Sequence, residues 1–127
     1  MVRKTKEDAE ITRQRIIDAA RELFSTKGVS GTSLEKIAKH ADVTRGAVYW
    51  HFENKTELFH AMREQVFLPL IDRIDNTLLS SKDEQNPLQR IENFLIDTIR
   101  VLSEDKATRQ TYEVLMTKCE YVDEFAA

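Results

Sequence analysis

Cysteine, glycine and proline are scarce in this sequence, and each scarcity excludes a class of protein. The 127 residues include three Gly and two Pro, too few for the many tight turns of a β-sandwich or a β-barrel. The single Cys excludes a disulfide framework and a multi-cysteine zinc site, and it is typical of a reducing compartment. No apolar run has the length of a membrane span or of a signal sequence. We therefore expect an all-α, soluble, cytoplasmic protein with no membrane partner.

The charge of the chain is unevenly distributed. The formal net charge of −3 by itself argues against a nucleic-acid partner. The first 60 residues nevertheless carry 11 Lys/Arg against 9 Asp/Glu, whereas the remaining 67 carry 8 against 13. This asymmetry indicates a nucleic-acid-facing end joined to an acidic body. The alternative is that these charges only solvate helical surfaces.

Three closely spaced helices are predicted at the start of the chain, over residues 7–27, 32–41 and 45–51. We expect a basic arm over 3–6 and a left-handed C-terminal cap at Gly28. Thr32 and Glu35 have the form of a capping box at the start of the second helix. Thr44 is the candidate N-cap of the third.

The rest of the chain is predicted to continue as helices. Asn54 caps a fourth helix, which we expect to kink at Pro69 rather than to end there. A loop is expected over 80–85, and Asn86 caps a fifth helix. The sixth helix is predicted over 105–118, and a seventh begins near residue 121. We expect the inner face of the sixth helix to contain Tyr112, Leu115, Met116 and Cys119.

The second and third helices have the arrangement of a helix-turn-helix, whose second helix enters the major groove of DNA with its N-terminus first. Arg45 can donate two hydrogen bonds to a guanine edge, and Thr44 can bind a phosphate at the helix N-terminus. Gly46 allows the backbone to approach the duplex closely. The candidate phosphate contacts are Thr32, Ser33, Tyr49, His51 and Lys55.

Plainer roles stay open for several of these residues. Trp50 and Phe52 can fill the seam of a three-helix core, and Tyr49 can lie in the core or on the surface. A histidine such as His51 is usually structural or solvated. The spacing by itself is also met in all-helical proteins that contain αα-hairpins.

A family resemblance covers the same residues. The segment VTRGAVYWHF over 43–52, followed by Asn54-Lys55, closely resembles the recognition segment of TetR-family transcriptional regulators. The segment GTSLEKIA over 31–38 is similar to the family's second helix. The segments RKTKE over 3–7 and KCE over 118–120 are similar to the AcrR/TtgR branch of the family, which represses multidrug efflux operons.

The resemblance implies a function for each matching residue. It implies a helix-turn-helix DNA-binding domain over 1–54 and part of a helical ligand-binding and dimerisation domain over 55–127. The implied partners are a palindromic double-stranded operator, a second copy of the chain, and a small apolar ligand. The implied DNA contacts are Ser33, Thr44, Arg45, Gly46, Ala47, Tyr49, Trp50, His51 and Lys55. The implied ligand pocket includes Phe94, Leu95, Thr98, Tyr112 and Met116, although a stripe of this kind also forms ordinary core packing.

The leading hypothesis is therefore a repressor of a multidrug efflux operon that is released from its operator by apolar ligands. Family members are generally considerably longer, so the resemblance implies a fragment or a natural truncation here. The alternative is a truncated helical protein that associates with itself or with a full-length repressor without binding DNA. Three His and one Cys without metal-ligand spacing predict neither an enzyme nor a metal or cofactor site.

We expect the affinity for duplex DNA to fall steeply with added salt, because released counterions contribute to binding. The slope of log affinity against log salt should shrink by about one unit in Lys55→Ala. Fluorescence anisotropy over a salt series measures this slope. An unchanged slope would remove Lys55 from the phosphate contacts.

Overall fold

The computed structural model describes residues 5–79 and 86–118, and within these ranges it contains helices and turns but no strand. The helices are α1 (Lys6–Lys27), α2 (Leu34–Ala41), α3 (Arg45–His51), α4 (Lys55–Arg73), α5 (Pro87–Glu104) and α6 (Lys106–Glu113). π-Helical turns continue α4 over Ile74–Leu78 and α6 over Val114–Lys118. The predicted all-α class is confirmed. Among the described residues, no helix is both long enough and apolar enough to cross a membrane.

Helix α1 lies at the centre of the fold and contacts α2, α3, α4 and α6. Its predicted apolar stripe is confirmed, since Ile16, Ala20 and Phe24 are fully excluded from solvent. The Phe24 and Phe59 rings pack with centroids 6.3 Å apart. The other helices add to this core Ile37, Val48, Phe52, Leu58, Phe59, Met62 and Val114. Because Val114 belongs to the same cluster, the end of α6 is attached to the core of the first four helices.

Helix α1 begins and ends in ways that differ slightly from the prediction. The Thr5 hydroxyl accepts a hydrogen bond from the Asp8 N–H, and the Asp8 carboxylate accepts one from the Thr5 N–H, both at 3.2 Å. Lys6 is therefore helical rather than part of a basic arm, and residues 3–4 lie outside the described residues. At the other end Gly28 has the predicted positive φ of 78°, but its ψ of 162° lies outside the left-handed helical region.

The capping box predicted for Thr32 and Glu35 is wrong, because the N-cap of α2 is the next residue, Ser33. The Thr32 side chain is buried, and its hydroxyl donates to the Gly28 carbonyl oxygen at 2.8 Å. Ser33 is the N-cap instead, because its hydroxyl accepts from the Lys36 N–H at 3.2 Å. The Thr32 hydroxyl thus closes the loop between α1 and α2. The Glu35 carboxylate pairs with Arg45 instead of capping α2.

The turn between α2 and α3 is held from inside the protein. Asp42 ends α2 in the left-handed conformation with φ 57°, which Asp tolerates better than most residues. Arg15 on α1 donates to the Ala41 carbonyl oxygen at 2.8 Å. The predicted cap of α3 is confirmed, since the Thr44 hydroxyl accepts from the Ala47 N–H at 3.1 Å. These bonds set the position of α3 relative to α1.

Helix α4 passes through Pro69 and continues to Arg73, so the predicted continuation is confirmed. Proline has no N–H to donate within the helix, which weakens the turn before it. The cap predicted at Asn54 is also confirmed, because its side chain accepts from the Glu57 N–H at 2.8 Å. The predicted loop over 80–85 lies outside the described residues.

Helices α5 and α6 are less buried than the prediction implied. The Asn86 cap of α5 is confirmed by its hydrogen bond from the Gln89 N–H at 2.8 Å, yet no residue of α5 is buried. On α6 and its π-helical turn, Thr111 and Val114 are buried, and Leu115 packs partly buried against the core, which confirms its predicted place on the inner face. Met116 is 67% exposed, so its predicted place on that face is wrong. Val114 faces the core, whereas Met116, two residues further along, faces solvent. Cys119 and the predicted seventh helix lie outside the described residues.

Phe59→Ala should lower the free energy of unfolding by about 3–5 kcal/mol, because it leaves a cavity against Phe24. Leu68→Ala is the matched control on the same helix, where the side chain is 59% exposed. We expect it to change the stability by no more than about 0.5 kcal/mol. Urea denaturation followed by circular dichroism measures both values. Equal losses would contradict the assignment of Phe59 to the core.

Candidate nucleic-acid interface

The N-terminus of α3 is the most open part of the helix-turn-helix. Thr44, Arg45 and Gly46 are all exposed, and the Thr44 cap presents the first turn to solvent. A Cβ atom added to Gly46 would meet only the Thr44 hydroxyl oxygen, at 3.9 Å. Packing within the chain therefore does not require glycine here, which leaves the close approach of another molecule as a reason for it.

Helix α3 divides its side chains between the core and the solvent. Val48 and Phe52 are buried, so the predicted core role of Phe52 is confirmed. Trp50 is 75% exposed and Tyr49 is 43% exposed. The core role considered for Trp50 is therefore wrong, because one short helix presents a single face to α1 and α2. An exposed tryptophan and tyrosine beside Arg45 form a surface that can contact a ligand or a nucleic acid.

Three of the predicted DNA contacts line a shallow cavity on one side of α3. Ser33 comes from the start of α2, Tyr49 from α3 and Lys55 from the start of α4. The cavity has a volume of about 410 Å³. Because hydroxyl and ammonium groups converge there beside a helix N-terminus, the cavity has the donor chemistry that a phosphate needs.

Three other predicted contacts line a groove on the opposite side of α3. Ala47, Trp50 and His51 face the first turns of α1 across a groove of about 430 Å³, which also includes Lys6. The Trp50 and His51 rings meet edge to face with centroids 4.7 Å apart. The structure thus brings the predicted residues together in two groups that flank the exposed end of α3.

Lys55 has a structural role that the sequence analysis missed. Its ammonium group donates to the carbonyl oxygens of Val29 at 2.8 Å and Thr32 at 3.1 Å. These acceptors precede Lys55 by 26 and 23 residues, so no local sequence pattern indicates the contact. An ammonium group has three N–H donors, and two of them stabilise the loop between α1 and α2. Lys55 also lines the neighbouring cavity.

Arg45 also has partners that the sequence analysis did not identify. One guanidinium nitrogen, Nη2, lies 3.3 Å from the Glu35 carboxylate oxygen Oε1. The guanidinium carbon lies 5.4 Å from the centre of the Tyr49 ring, within the range of a cation–π contact. Both charged side chains are more than half exposed. Arg45 is therefore held at the surface rather than buried.

Of the five residues predicted to line a ligand pocket, three are half-buried and two are exposed. Phe94, Thr98 and Tyr112 are half-buried, and the Thr98 hydroxyl donates to the Phe94 carbonyl oxygen at 2.9 Å. Leu95 is 53% exposed and Met116 is exposed as well.

Residues 5–79 and 86–118 contain no group of three or more side chains able to hold a metal ion.

Comparison with known proteins places the same segment in a family. Residues 16–62 match the family described as bacterial regulatory proteins, tetR family. The transcriptional regulator TtgR of Pseudomonas putida is 42% identical over 130 residues, covering 98% of this chain and 58% of its own length. The chain therefore spans little more than half the length of this relative.

Solved structures agree with the sequence comparison. NalD, the secondary repressor of the MexAB-OprM multidrug efflux pump of Pseudomonas aeruginosa, superposes with a TM-score of 0.79 and 45% identity. The match covers 94% of this chain and 58% of NalD. SmeT, the repressor of a Stenotrophomonas maltophilia efflux pump, superposes in its triclosan complex with a TM-score of 0.76 and 35% identity. That match covers 91% of this chain and 56% of SmeT.

Gly46→Ala should leave the fold intact and raise the free energy of unfolding by up to about 1 kcal/mol, because alanine favours a helix more than glycine does. The affinity for duplex DNA should fall, since the added methyl group keeps the backbone away from the duplex. Gly31→Ala is a contrasting control, because its Cβ would lie 2.5 Å from the Lys27 carbonyl oxygen. We expect it to destabilise the protein in thermal denaturation. Unchanged DNA affinity in Gly46→Ala would contradict the close approach.

Proposed function

This chain belongs to the TetR family of bacterial regulatory proteins, and we propose that it is the DNA-binding part of a transcriptional repressor of a multidrug efflux operon. The observation that carries the proposal is the exposed N-terminus of α3. There Thr44, Arg45 and Gly46 lie together, between two cavities lined by hydroxyl, aromatic and basic side chains. A repressor acts by occupying its operator in the cytoplasm, where the promoter lies. The relatives favour this function over that of an interaction protein that does not bind DNA.

Each part of the interface has a proposed role. Arg45 donates to a guanine edge in the major groove, and Gly46 and Ala47 allow the backbone of α3 to approach the bases. Trp50 and His51 contact the duplex from the groove beside α1. The proposed phosphate contacts are Ser33, Thr44, Tyr49 and Lys55.

The domain division is part of the same proposal. Residues 1–54 form the DNA-binding domain, which we call the reading head, and residues 55–127 begin the regulatory domain. The two are connected through the core, because Val114 of the second part packs in the cluster that contains Phe24 and Phe52 of the first. A displacement of the end of α6 therefore reaches the reading head through direct packing.

Ligand release and dimerisation are proposed for the full-length protein. A complex of the relative SmeT with triclosan supports an apolar drug as the ligand class. Phe94, Leu95, Thr98, Tyr112 and Met116 are the proposed pocket residues. Two copies of the chain would read the two halves of a palindromic operator, and ligand binding would separate the two heads.

The test begins with selection of bound duplexes from random double-stranded DNA by this chain. An enriched sequence motif is expected, and gel-shift titration then compares the variants on that duplex. Arg45→Ala should weaken binding by about 5- to 150-fold, because a two-hydrogen-bond contact with guanine contributes about 1–3 kcal/mol of discrimination.

Arg100→Ala is the matched control. Arg100 on α5 is similarly exposed and pairs with a carboxylate, Asp97, as Arg45 pairs with Glu35. The control removes the same charge outside the reading head, so we expect less than a twofold change. Equal losses in the two variants would contradict base reading by Arg45. The absence of any enriched motif would contradict the proposed function.

A further inference from the structure

The guanidinium group of Arg45 is held from two sides by residues of different helices. Glu35, in the first turn of α2, places its Oε1 3.3 Å from Nη2 of Arg45. Tyr49, one turn further along α3, lies with its ring centre 5.4 Å from the guanidinium carbon. These two contacts restrict the direction in which the exposed side chain points.

A restricted arginine binds its target at a lower entropic cost. The arginine side chain has many rotamers, and ordering it on binding reduces the affinity. A carboxylate that already holds the group in one direction removes part of that cost before the DNA arrives. The effect applies only to a target that lies in the direction in which the guanidinium points.

The donors of Arg45 allow Glu35 and a base to be bound at the same time. A guanidinium group carries five N–H donors, two of them on each terminal nitrogen. The contact with Glu35 is an ion pair at Nη2 and not a hydrogen bond, so the N–H groups of both terminal nitrogens stay available for a base. Two parallel donors are what the O6 and N7 acceptors of guanine require.

We propose that Glu35 is a positioning residue that determines specificity by holding Arg45 toward a guanine edge. The inference rests on the proposed DNA-binding function and goes beyond it, since it assigns a role to an acidic residue that would otherwise repel the duplex. Glu35 itself does not contact a base. Its effect on sequence discrimination passes through Arg45.

Two other roles of Glu35 predict different results. As an acidic residue in the first turn of α2, it stabilises the helix by interacting with the helix dipole. Its loss would then lower the free energy of unfolding without changing sequence discrimination. As a negative charge near phosphates, it repels every duplex, and its loss would raise the affinity for all sequences equally. Only a positioning role lowers the preference for the selected sequence over a scrambled one.

The experiment measures this preference in Glu35→Gln. The probes are the duplex selected by the wild-type chain and a scrambled duplex of the same length and composition, titrated by fluorescence anisotropy at one salt concentration. The ratio of the two affinities should fall by about two- to fivefold, the size expected for an exposed ion pair. Thermal denaturation monitors the fold of each variant.

Glu22→Gln is the matched control. Glu22 is 50% exposed and pairs with His40 at 2.7 Å, whereas Glu35 is 52% exposed in its pair with Arg45. The control removes one acidic charge from the same domain without touching Arg45, so the ratio should stay unchanged. In the Arg45→Ala background, Glu35→Gln should also leave the ratio unchanged, because its effect requires the guanidinium group.

The outcomes separate this inference from the proposed function. If the wild-type chain discriminates but Glu35→Gln leaves the ratio unchanged or raises it, the positioning role is wrong and the DNA-binding function stands. A loss of discrimination that persists in the Arg45→Ala background also overturns the role. If the wild-type chain does not distinguish the two duplexes, the proposed function fails, and the role of Glu35 fails with it.

Discussion

The hydrogen bonds from the Lys55 ammonium group to the Val29 and Thr32 carbonyl oxygens constrain four elements of the fold. The loop that they hold leaves α1 at Gly28 and enters α2 at Ser33. Lys55 itself is the first residue of α4, and the Val29 N–H donates to the Lys118 carbonyl oxygen at the end of the chain's described part. The end of α1 and the starts of α2 and α4 therefore meet the last described turn at one place. A cation suits this place, because two backbone carbonyl oxygens accept hydrogen bonds from it.

This constraint explains why the recognition helix can be both short and well positioned. Helix α3 has only seven residues, fewer than an isolated helix needs for stability in water. Its position comes from the Thr44 cap, from the hydrogen bond of Arg15 to the preceding turn, and from the burial of Val48 and Phe52. Since packing is supplied by one face, the opposite face is free to carry exposed aromatic and basic side chains. The surface proposed to contact DNA is exposed because the core contacts only one face of α3.

Local signals predicted most of the helices and several of their caps. Thr44, Asn54 and Asn86 cap the helices expected of them, because an N-cap bond joins residues only three positions apart. The prediction at Thr32 was wrong because two adjacent hydroxyl residues can each cap a helix, and the contact with Gly28 decided between them. The position of Met116 was wrong for a related reason. Apolar spacing identifies a face, but the packing of α6 against α1 selects the rotation of the helix.

The sequence by itself determined the helical class and the helix-turn-helix spacing, because these depend on residues close together in the chain, and its resemblance to the TetR family implied the set of residues proposed to contact DNA. The tertiary structure alone decided which of those residues share a surface and which internal partners they have. The pairs Lys55–Val29 and Arg45–Glu35 join residues 26 and 10 positions apart, beyond the reach of any helical period. Trp50 shows the same limit, since its large apolar ring is compatible with the core and only the packing of α3 turns it to solvent.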